Sequence, residues 1–345
     1  MLSQMLTQYG HEVHIVILND EIDYPFSGKL FNLGVLKGKK DTSLKRILRF
    51  RKLRKFLKKE AFDVIIDHRT KNDFKREKFY FEYIYRGLNK IYVVHSSKKS
   101  EYLTENPVAF AKLSERNLLN IGVSKYIENE VLRNEGITNS ATIHNAFNPS
   151  WAEEVDRFPK VLEEREYILS YGRLDDKVKD FSFLIEGFSQ SEVWKKNVYL
   201  VILGDGKDKA MLQKLAASTD AASFVLFLPF TKSPFEIIKN ARCVTLTSHY
   251  EGFPMVLVES LSLGTPVVSL DIVSGPSEII QHQKNGLLID ERSLPLFSEA
   301  LKEICFDETL YQSLKLNTKT SVAKFSMQEI SKIWNQTLQH VLSQS

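Results

Sequence analysis

Short apolar runs recur along this chain in alternation with helical stretches, and that rhythm leaves few folds open. A helical stretch over 44–59 leads into "FDVIIDH", and "KIYVVHS", "LLNIGVS" and "ATIHNAF" follow at similar spacing. The stretch 149–165 is polar, carries two prolines and reads as a linker. The rhythm then restarts with "YILSYGRL", "VYLVILGDG", "SFVLFLPF", "CVTLTS" and "VVSL". Nearly continuous apolar strands separated by helices specify a parallel sheet covered on both faces. Two such runs specify an α/β protein of two Rossmann-like domains facing a cleft. The expected boundaries are 1–150, a linker at 151–165, and 166–325. A final helix at 326–345 is available to cross the domain junction.

One segment of the second run has an unusual charge pattern. In "SHYEGFPMVLVESLSLGTPVVSLD", residues 248–271, Glu259 is the only charge between Gly252 and Leu270, and Glu251 stands eight residues before it. The spacing predicts a helix from about Pro254 to Leu263, ended by Gly264 at the C′ position with Pro266 beyond. A carboxylate in so apolar a helix needs a partner, because burying it alone costs several kcal/mol. An Arg or Lys is one candidate. A polyol is the other, since an ionised carboxylate accepts two hydroxyl hydrogen bonds at once, as a ribose offers. The helix start supplies backbone N–H groups suited to a diphosphate, and Gly252 permits close approach. Cations are to hand in "SYGRLDDKVKDF", which places Arg173 at a strand end with Lys177 and Lys179 after it.

Other features narrow the field. Two cysteines, Cys243 and Cys305, make neither a disulfide framework nor a metal-ligand spacing, which suits a reducing cytosol. No apolar run approaches the roughly 20 residues that span a bilayer. "GDG" at 204–206 is a tight strand-to-helix turn and not the GxGxxG of a dinucleotide dehydrogenase. "LDD" at 174–176 reads as a solvated loop in preference to a metal-binding acidic pair. The net charge of +4 is unevenly placed, with twelve Lys or Arg and one acid in residues 37–59. Such a patch meets phosphate groups, on lipid or nucleic acid, or is simply a solvated helix face. Its apolar residues, Leu44, Ile47, Leu48, Phe50, Leu53, Phe56 and Leu57, scatter around the helix, as in a core helix with a basic exterior. A nucleic-acid binder would need stacking aromatics or a recognition fold that the sequence does not show, so no nucleic-acid partner is expected.

The carboxy-terminal half resembles the nucleotide-sugar-binding domain of the retaining GT-B glycosyltransferases of family 4. "GRLDDKVKDFSFLIEGF", "LVILGDG", the E-x7-E of "EGFPMVLVE", "GTPVVSLDIVSGPSEII" and "NGLLID" stand in the family's order over about 170 to 290. In the amino-terminal half, "YGHEVHIVIL", "FDVIIDH", "VVHS", "GVSKYI" and "IHNAFNP" resemble its acceptor-side domain. That family usually begins with a strand and a glycine-rich loop ahead of the segment resembling "LSQMLTQYGHEV". The resemblance therefore implies an amino-terminal domain lacking those elements, with an unpaired central sheet position.

The resemblance also implies roles. Arg173 and Lys179 would neutralise the diphosphate, and Glu259 would hold the ribose. Glu251 and the Gly252–Phe253–Pro254 turn would hold the transferred sugar, and Phe230 would touch the base. His95 would lie near the sugar or the leaving phosphate. His68 and the basic helix would face the acceptor, although a histidine at a strand end is equally a structural one. The expected reaction is metal-free, cofactor-free transfer of a hexose or N-acetylhexosamine, with retention, from a nucleoside diphosphate sugar, UDP-linked by analogy. The acceptor implied is a lipid-linked or lipopolysaccharide glycan at the inner face of the cytoplasmic membrane, with residues 37–59 on anionic lipid. Two alternatives share the fold: a sugar-nucleotide 2-epimerase, and an inactive sugar-nucleotide-binding protein with a short amino terminus.

Overall fold

The structure, a computed structural model, describes residues 1–22, 25–37, 42–153 and 158–344. Positions 38–41 of the basic run and 154–157 of the expected linker lie outside the described residues. The chain forms two compact units, 1–146 with 327–345, and 147–326.

The first unit contains strands β1 (His14–Ile17), β2 (Lys29–Asn32), β3 (Ile65–Asp67), β4 (Lys90–Val94), β5 (Leu119–Gly122) and β6 (Ser140–Thr142). All pair in parallel, but in two separate sheets, β1-β2 and β3-β4-β5-β6. Val16 of β1 and Ile65 of β3 nevertheless share one apolar cluster with Leu33, Leu53, Leu57, Tyr80 and Ile84. β1 and β3 each have one edge with no ladder partner among the described residues. After β5 the chain forms a wide π-helical stretch, Ile127–Leu132, closed by a 3₁₀ turn at Arg133–Glu135. The long helix Met327–Ser343 returns to this unit, where it packs on Leu2–Gln8 and His11 bonds Asn335 at 3.0 Å.

The second unit is one six-stranded parallel sheet. Its strands are β7 (Glu166–Tyr171), β8 (Val198–Leu203), β9 (Val225–Leu228), β10 (Cys243–Leu246), β11 (Val267–Leu270) and β12 (Gly286–Ile289). Their order is β12-β11-β10-β7-β8-β9. The winding reverses between β7 and β10, and in open α/β sheets ligands bind outside the carboxyl ends at such a reversal. Val198, Leu200, Ile202, Cys243 and Val268 are fully buried, as strands covered on both faces must be. The Phe183 and Phe297 rings meet edge-on at 5.4 Å, joining the helices Phe181–Ser191 and Leu294–Phe306.

Backbone contacts fix the loops at that carboxyl end. Gly204 has φ 150°, and a Cβ there would lie 2.0 Å from the Gly172 carbonyl oxygen. Gly206 presses as closely on Leu174. The "GDG" glycines thus let the loops after β7 and β8 touch backbone to backbone, a requirement no larger residue meets. The helix Met255–Ser262 has eight residues, too few to hold in isolation. Leu257, Val258 and Leu261 are completely buried, and each contributes about 1.5–3 kcal/mol. Gly264 ends it with φ 93°.

Candidate active site

Three loops at the carboxyl ends of β7, β10 and β12 converge in the second unit. After β7 come exposed Arg173 and Lys177, and the single helical turn Asp176–Lys179. After β10 come Thr247, Ser248, His249 and Glu251. Lys179 Nζ donates to Glu251 Oε1 at 2.6 Å, with the two side chains 22% and 15% exposed. Buried Ser248 donates its hydroxyl to the same oxygen at 2.7 Å. Of the two lysines after Arg173, Lys179 is the one built into the site, and Lys177 points to solvent.

Residues that no pattern in the sequence singles out hold this pair. Arg292, just beyond β12, donates to Asp180 Oδ2, to the Thr247 carbonyl at 3.0 Å and to the Ser248 carbonyl at 2.7 Å. The Thr247 hydroxyl reaches the carbonyls of Lys179 and Asp180 at 3.1 and 3.0 Å, and His249 N–H donates to the Val178 carbonyl at 2.8 Å. Asp180 sits at φ 51°, a conformation uncommon for a non-glycine residue, and its carboxylate caps the next helix through Phe183 N–H. The Arg292 guanidinium therefore ties the loop carrying Lys179 to the loop carrying Glu251. The only signal for it in the sequence is its place two residues after "NGLLID".

Glu259 projects from the second turn of the helix Met255–Ser262 and is half-buried. Its partner is neither Arg nor Lys. The Tyr171 hydroxyl, at the end of β7, donates to Glu259 Oε2 at 2.7 Å and lies 3.2 Å from the Val256 carbonyl. Among the described residues no hydrogen bond reaches Oε1. Burial raises the Glu259 pKa above the ordinary carboxylate range, with the Tyr171 hydrogen bond opposing it. Burial and the adjacent carboxylate push the Tyr171 phenol well above its usual value, so it remains a donor.

The turn before that helix divides its duties. The Phe253 ring is buried edge-on against Phe325 at 5.1 Å, so its side chain is a packing element and only its backbone is left for a ligand. Ser274 donates to the Gly252 carbonyl at 2.6 Å. Gly275 (φ 109°) backs onto Pro254, where a Cβ would come within 2.2 Å of the proline ring. No side chain caps the helix start at Pro254, so its first N–H groups have no side-chain cap. After β9, Phe230 is 64% exposed, while its N–H is held by Asp205 at 3.0 Å.

In the first unit the two histidines at adjacent strand ends are bonded together. His68 Nδ1 and His95 Nε2 are 2.9 Å apart, with ring centroids at 5.2 Å. Beneath them lies a buried ionic group in which Asp67 meets Arg69 at 2.8 Å and Lys71 at 3.0 Å, and Arg69 meets Glu77 at 3.0 Å. Burial, then the Lys71 charge, lowers the His95 pKa to about 4, and burial with the His95 charge lowers that of His68. One imidazole must donate to the other, so the pair presents one donor and one acceptor nitrogen outward. Both rings are expected to stay neutral from pH 8 to about 5. The unfolded chain takes up protons near pH 6.5 that the folded pair refuses, so stability falls as pH drops from about 6.5 toward 4. Ring-proton NMR titration checks this; an inflection near 6.5 for His95 would show a solvated, separate ring.

The sequence profile of the family described as "Glycosyl transferases group 1" matches residues 152–321. The lipopolysaccharide 1,6-galactosyltransferase of Escherichia coli K12 is 35% identical over 178 residues, covering 49% of this chain and 47% of that protein. The chain spans about a third to a half of the length of the curated relatives it matches first. Among solved structures, a glycosyltransferase from Rickettsia africae superposes with a TM-score of 0.78 at 12% identity, covering 100% of this chain and 94% of that one. Anabaena HepE, crystallised with UDP and glucose, gives 0.71 at 20% identity, covering 91% and 86%. These likenesses establish the GT-B fold. The group 1 glycosyltransferase profile matches nearly all of the second unit, and the chain as a whole is similar to the glycosyltransferases of family 4 in the GT-B fold.

Proposed function

We propose that this protein is a retaining glycosyltransferase that moves a hexose or N-acetylhexosamine from a UDP-linked sugar to a hydroxyl of a lipid-linked or lipopolysaccharide glycan. The observation that carries the donor assignment is Glu259, with one oxygen held by Tyr171 and the other open at the β7/β10 reversal. An ionised carboxylate so placed takes the two hydroxyls of a ribose. HepE holds UDP and glucose, and the E. coli relative is a lipopolysaccharide galactosyltransferase, which supports the UDP donor and the glycan acceptor.

In this reading the uncapped start of the helix Met255–Ser262, Arg173 and Lys179 meet the diphosphate. Glu251, held by Lys179 and Ser248, takes a hydroxyl of the transferred sugar, and Phe230 stacks on the base. His95 serves the sugar or leaving phosphate, and His68 the acceptor. The bond from C1 to the phosphate oxygen breaks, and the acceptor oxygen bonds C1 on the same face. The acceptor's proton passes to the departing phosphate oxygen. Charge accumulates on that oxygen, so fixed cations lower the barrier more than they tighten ground-state binding. They supply this without a metal ion. The enzyme works in the cytoplasm at the inner membrane face, with the basic stretch 37–59 against anionic lipid.

Incubation with a panel of UDP-hexoses and UDP-N-acetylhexosamines, with and without lipopolysaccharide-core or lipid-linked acceptors, tests this. Product NMR should show the donor's anomeric configuration retained. Inversion, or an epimerised sugar formed without acceptor, would overturn the assignment.

A further inference from the structure

The helix Ser43–Glu60 buries one side and displays the other. Leu53 and Leu57 are buried, and Phe50 and Phe56 pack beside them in the cluster with Tyr80 and Ile84. The opposite side is not merely basic. Leu44, Ile47 and Leu48 are 75%, 52% and 63% exposed. Positions 44, 47, 48, 51, 55 and 58 recur at the spacing that places side chains on a single helix face. That face therefore carries three large apolar side chains over its first turns and Arg51, Lys55 and Lys58 over the rest. The apolar residues that look scattered in sequence form two groups, one turned to the core and one turned outward.

Two further observations say what this face meets. From Thr42 to Lys59 the chain has no acid, and Glu60 at the helix end, 3.5 Å from Lys59, is the one carboxylate the helix carries. Beside the face lies a shallow recess of about 440 Å³ walled by Arg51, Arg54, Lys55, Lys58, Lys59 and Tyr83. The Arg54 guanidinium lies over the Tyr83 ring at 4.3 Å, and its buried Nη1 makes no hydrogen bond among the described residues.

We infer that this outward face docks on an anionic bilayer, with Leu44, Ile47 and Leu48 inserted at the boundary of headgroups and acyl chains and the cationic recess seating a lipid phosphate. An apolar tip beside a polybasic flank is the pattern that combines insertion with attraction to anionic lipid. Cations alone would give binding that salt abolishes; an inserted tip gives a component that salt spares. The inference deepens the membrane placement proposed above and rests on it.

The test is co-sedimentation of the full chain with phosphatidylcholine vesicles, with and without about a third phosphatidylglycerol, at roughly 0.1 M and 0.5 M salt. Two variants are compared with wild type: Leu44→Ser/Ile47→Ser/Leu48→Ser, and Arg51→Ser/Lys55→Ser/Lys58→Ser/Lys59→Ser. All seven positions face outward, and unchanged circular dichroism confirms folding. Wild type is expected to bind anionic vesicles and to keep part of that binding at high salt. The apolar variant should lose at least about tenfold at both salts, since one fully buried leucine-sized side chain is worth a factor of about 10 to 100. The charge variant should lose mainly the low-salt binding. If the apolar variant binds as wild type does, insertion is wrong and the membrane placement stands. If wild type binds no vesicle, both fall. If wild type is a dimer in sedimentation velocity and the apolar variant a monomer, the face is a subunit interface and the inference fails.

Discussion

Replacing Lys179 by alanine is expected to lower kcat/KM for glycosyl transfer by about a hundred- to a thousandfold, some 3–4 kcal/mol of transition-state stabilisation. The Nζ lies 2.6 Å from Glu251 Oε1 in a partly buried site, where a fixed cation is worth far more than in water. Its loss does two things. It removes a positive charge from the place where the diphosphate gains negative charge, and it leaves the Glu251 carboxylate, still bonded to Ser248, facing the same phosphates without the lysine charge beside it. The second effect gives a distinctive signature. Lys179→Ala should bind UDP more weakly than the double variant Lys179→Ala/Glu251→Ala, because removing Glu251 relieves the repulsion. The double variant should still be inactive, since the sugar's acidic partner is gone. Isothermal titration with UDP and steady-state kinetics on the three variants separate the terms. Equal UDP affinity for single and double variants would sink the idea that Lys179 screens Glu251 from the diphosphate. Arg292→Ala should show a weaker version of the single variant, because Arg292 holds the two loops without touching either charged end.

The division between what sequence conveys and what it hides is visible in these same residues. The strands β7, β8 and β10 stand out because a strand covered on both faces has to carry no charge and be nearly continuously apolar, as "YILSY", "VYLVIL" and "CVTL" are. The helix Met255–Ser262 and its end at Gly264 follow from one apolar run and one glycine. Glu259 stands out because it is the lone charge in that run. Its partner does not, since Tyr171 is 88 residues away and at the end of an apolar strand looks like any core aromatic. Arg292 and Asp180 are 112 residues apart and meet only because parallel strands bring all their carboxyl ends to one edge. Sequence periodicity reports which face a residue occupies, not which distant loop it meets. The same limit explains Phe253, whose ring is taken up by Phe325, and Leu44, Ile47 and Leu48, whose outward face becomes plain only once Leu53 and Leu57 fix the inward one. It also explains the amino-terminal unit, where neither the short strand Lys29–Asn32 nor the division of the strands into two sheets is legible.

Glu259→Ala is expected to abolish most of the protection that UDP gives against thermal unfolding. Removing a hydrogen-bonding charge of this kind costs about 1.5–3 kcal/mol, or roughly 10- to 150-fold in Kd. Take UDP at about 100 times the wild-type Kd, where it adds roughly 2.7 kcal/mol. A hundredfold weaker variant then keeps only about 0.4 kcal/mol, and a shift of several degrees shrinks to about one. Tyr171→Phe tests the geometry independently. It leaves the carboxylate but frees Oε2, and should weaken UDP by roughly 1 kcal/mol, about fivefold. The pH dependence follows from the direction of the Glu259 shift. Burial raises its pKa, so the ionised form that accepts two hydroxyls is depleted at a higher pH than for an ordinary carboxylate. UDP affinity should therefore fall on acidification through that raised pKa in the wild type and stay flat in Glu259→Gln. Tyr171→Phe should move the fall to still higher pH, because the hydrogen bond it deletes favours the ionised form. GDP, ADP and CMP, run beside UDP, separate ribose recognition from base recognition. A wild type protected equally by all of them would leave Glu259 with the ribose and take the base away from Phe230. A wild type protected by none would return Glu259 to a purely structural role, paired with Tyr171 and nothing else.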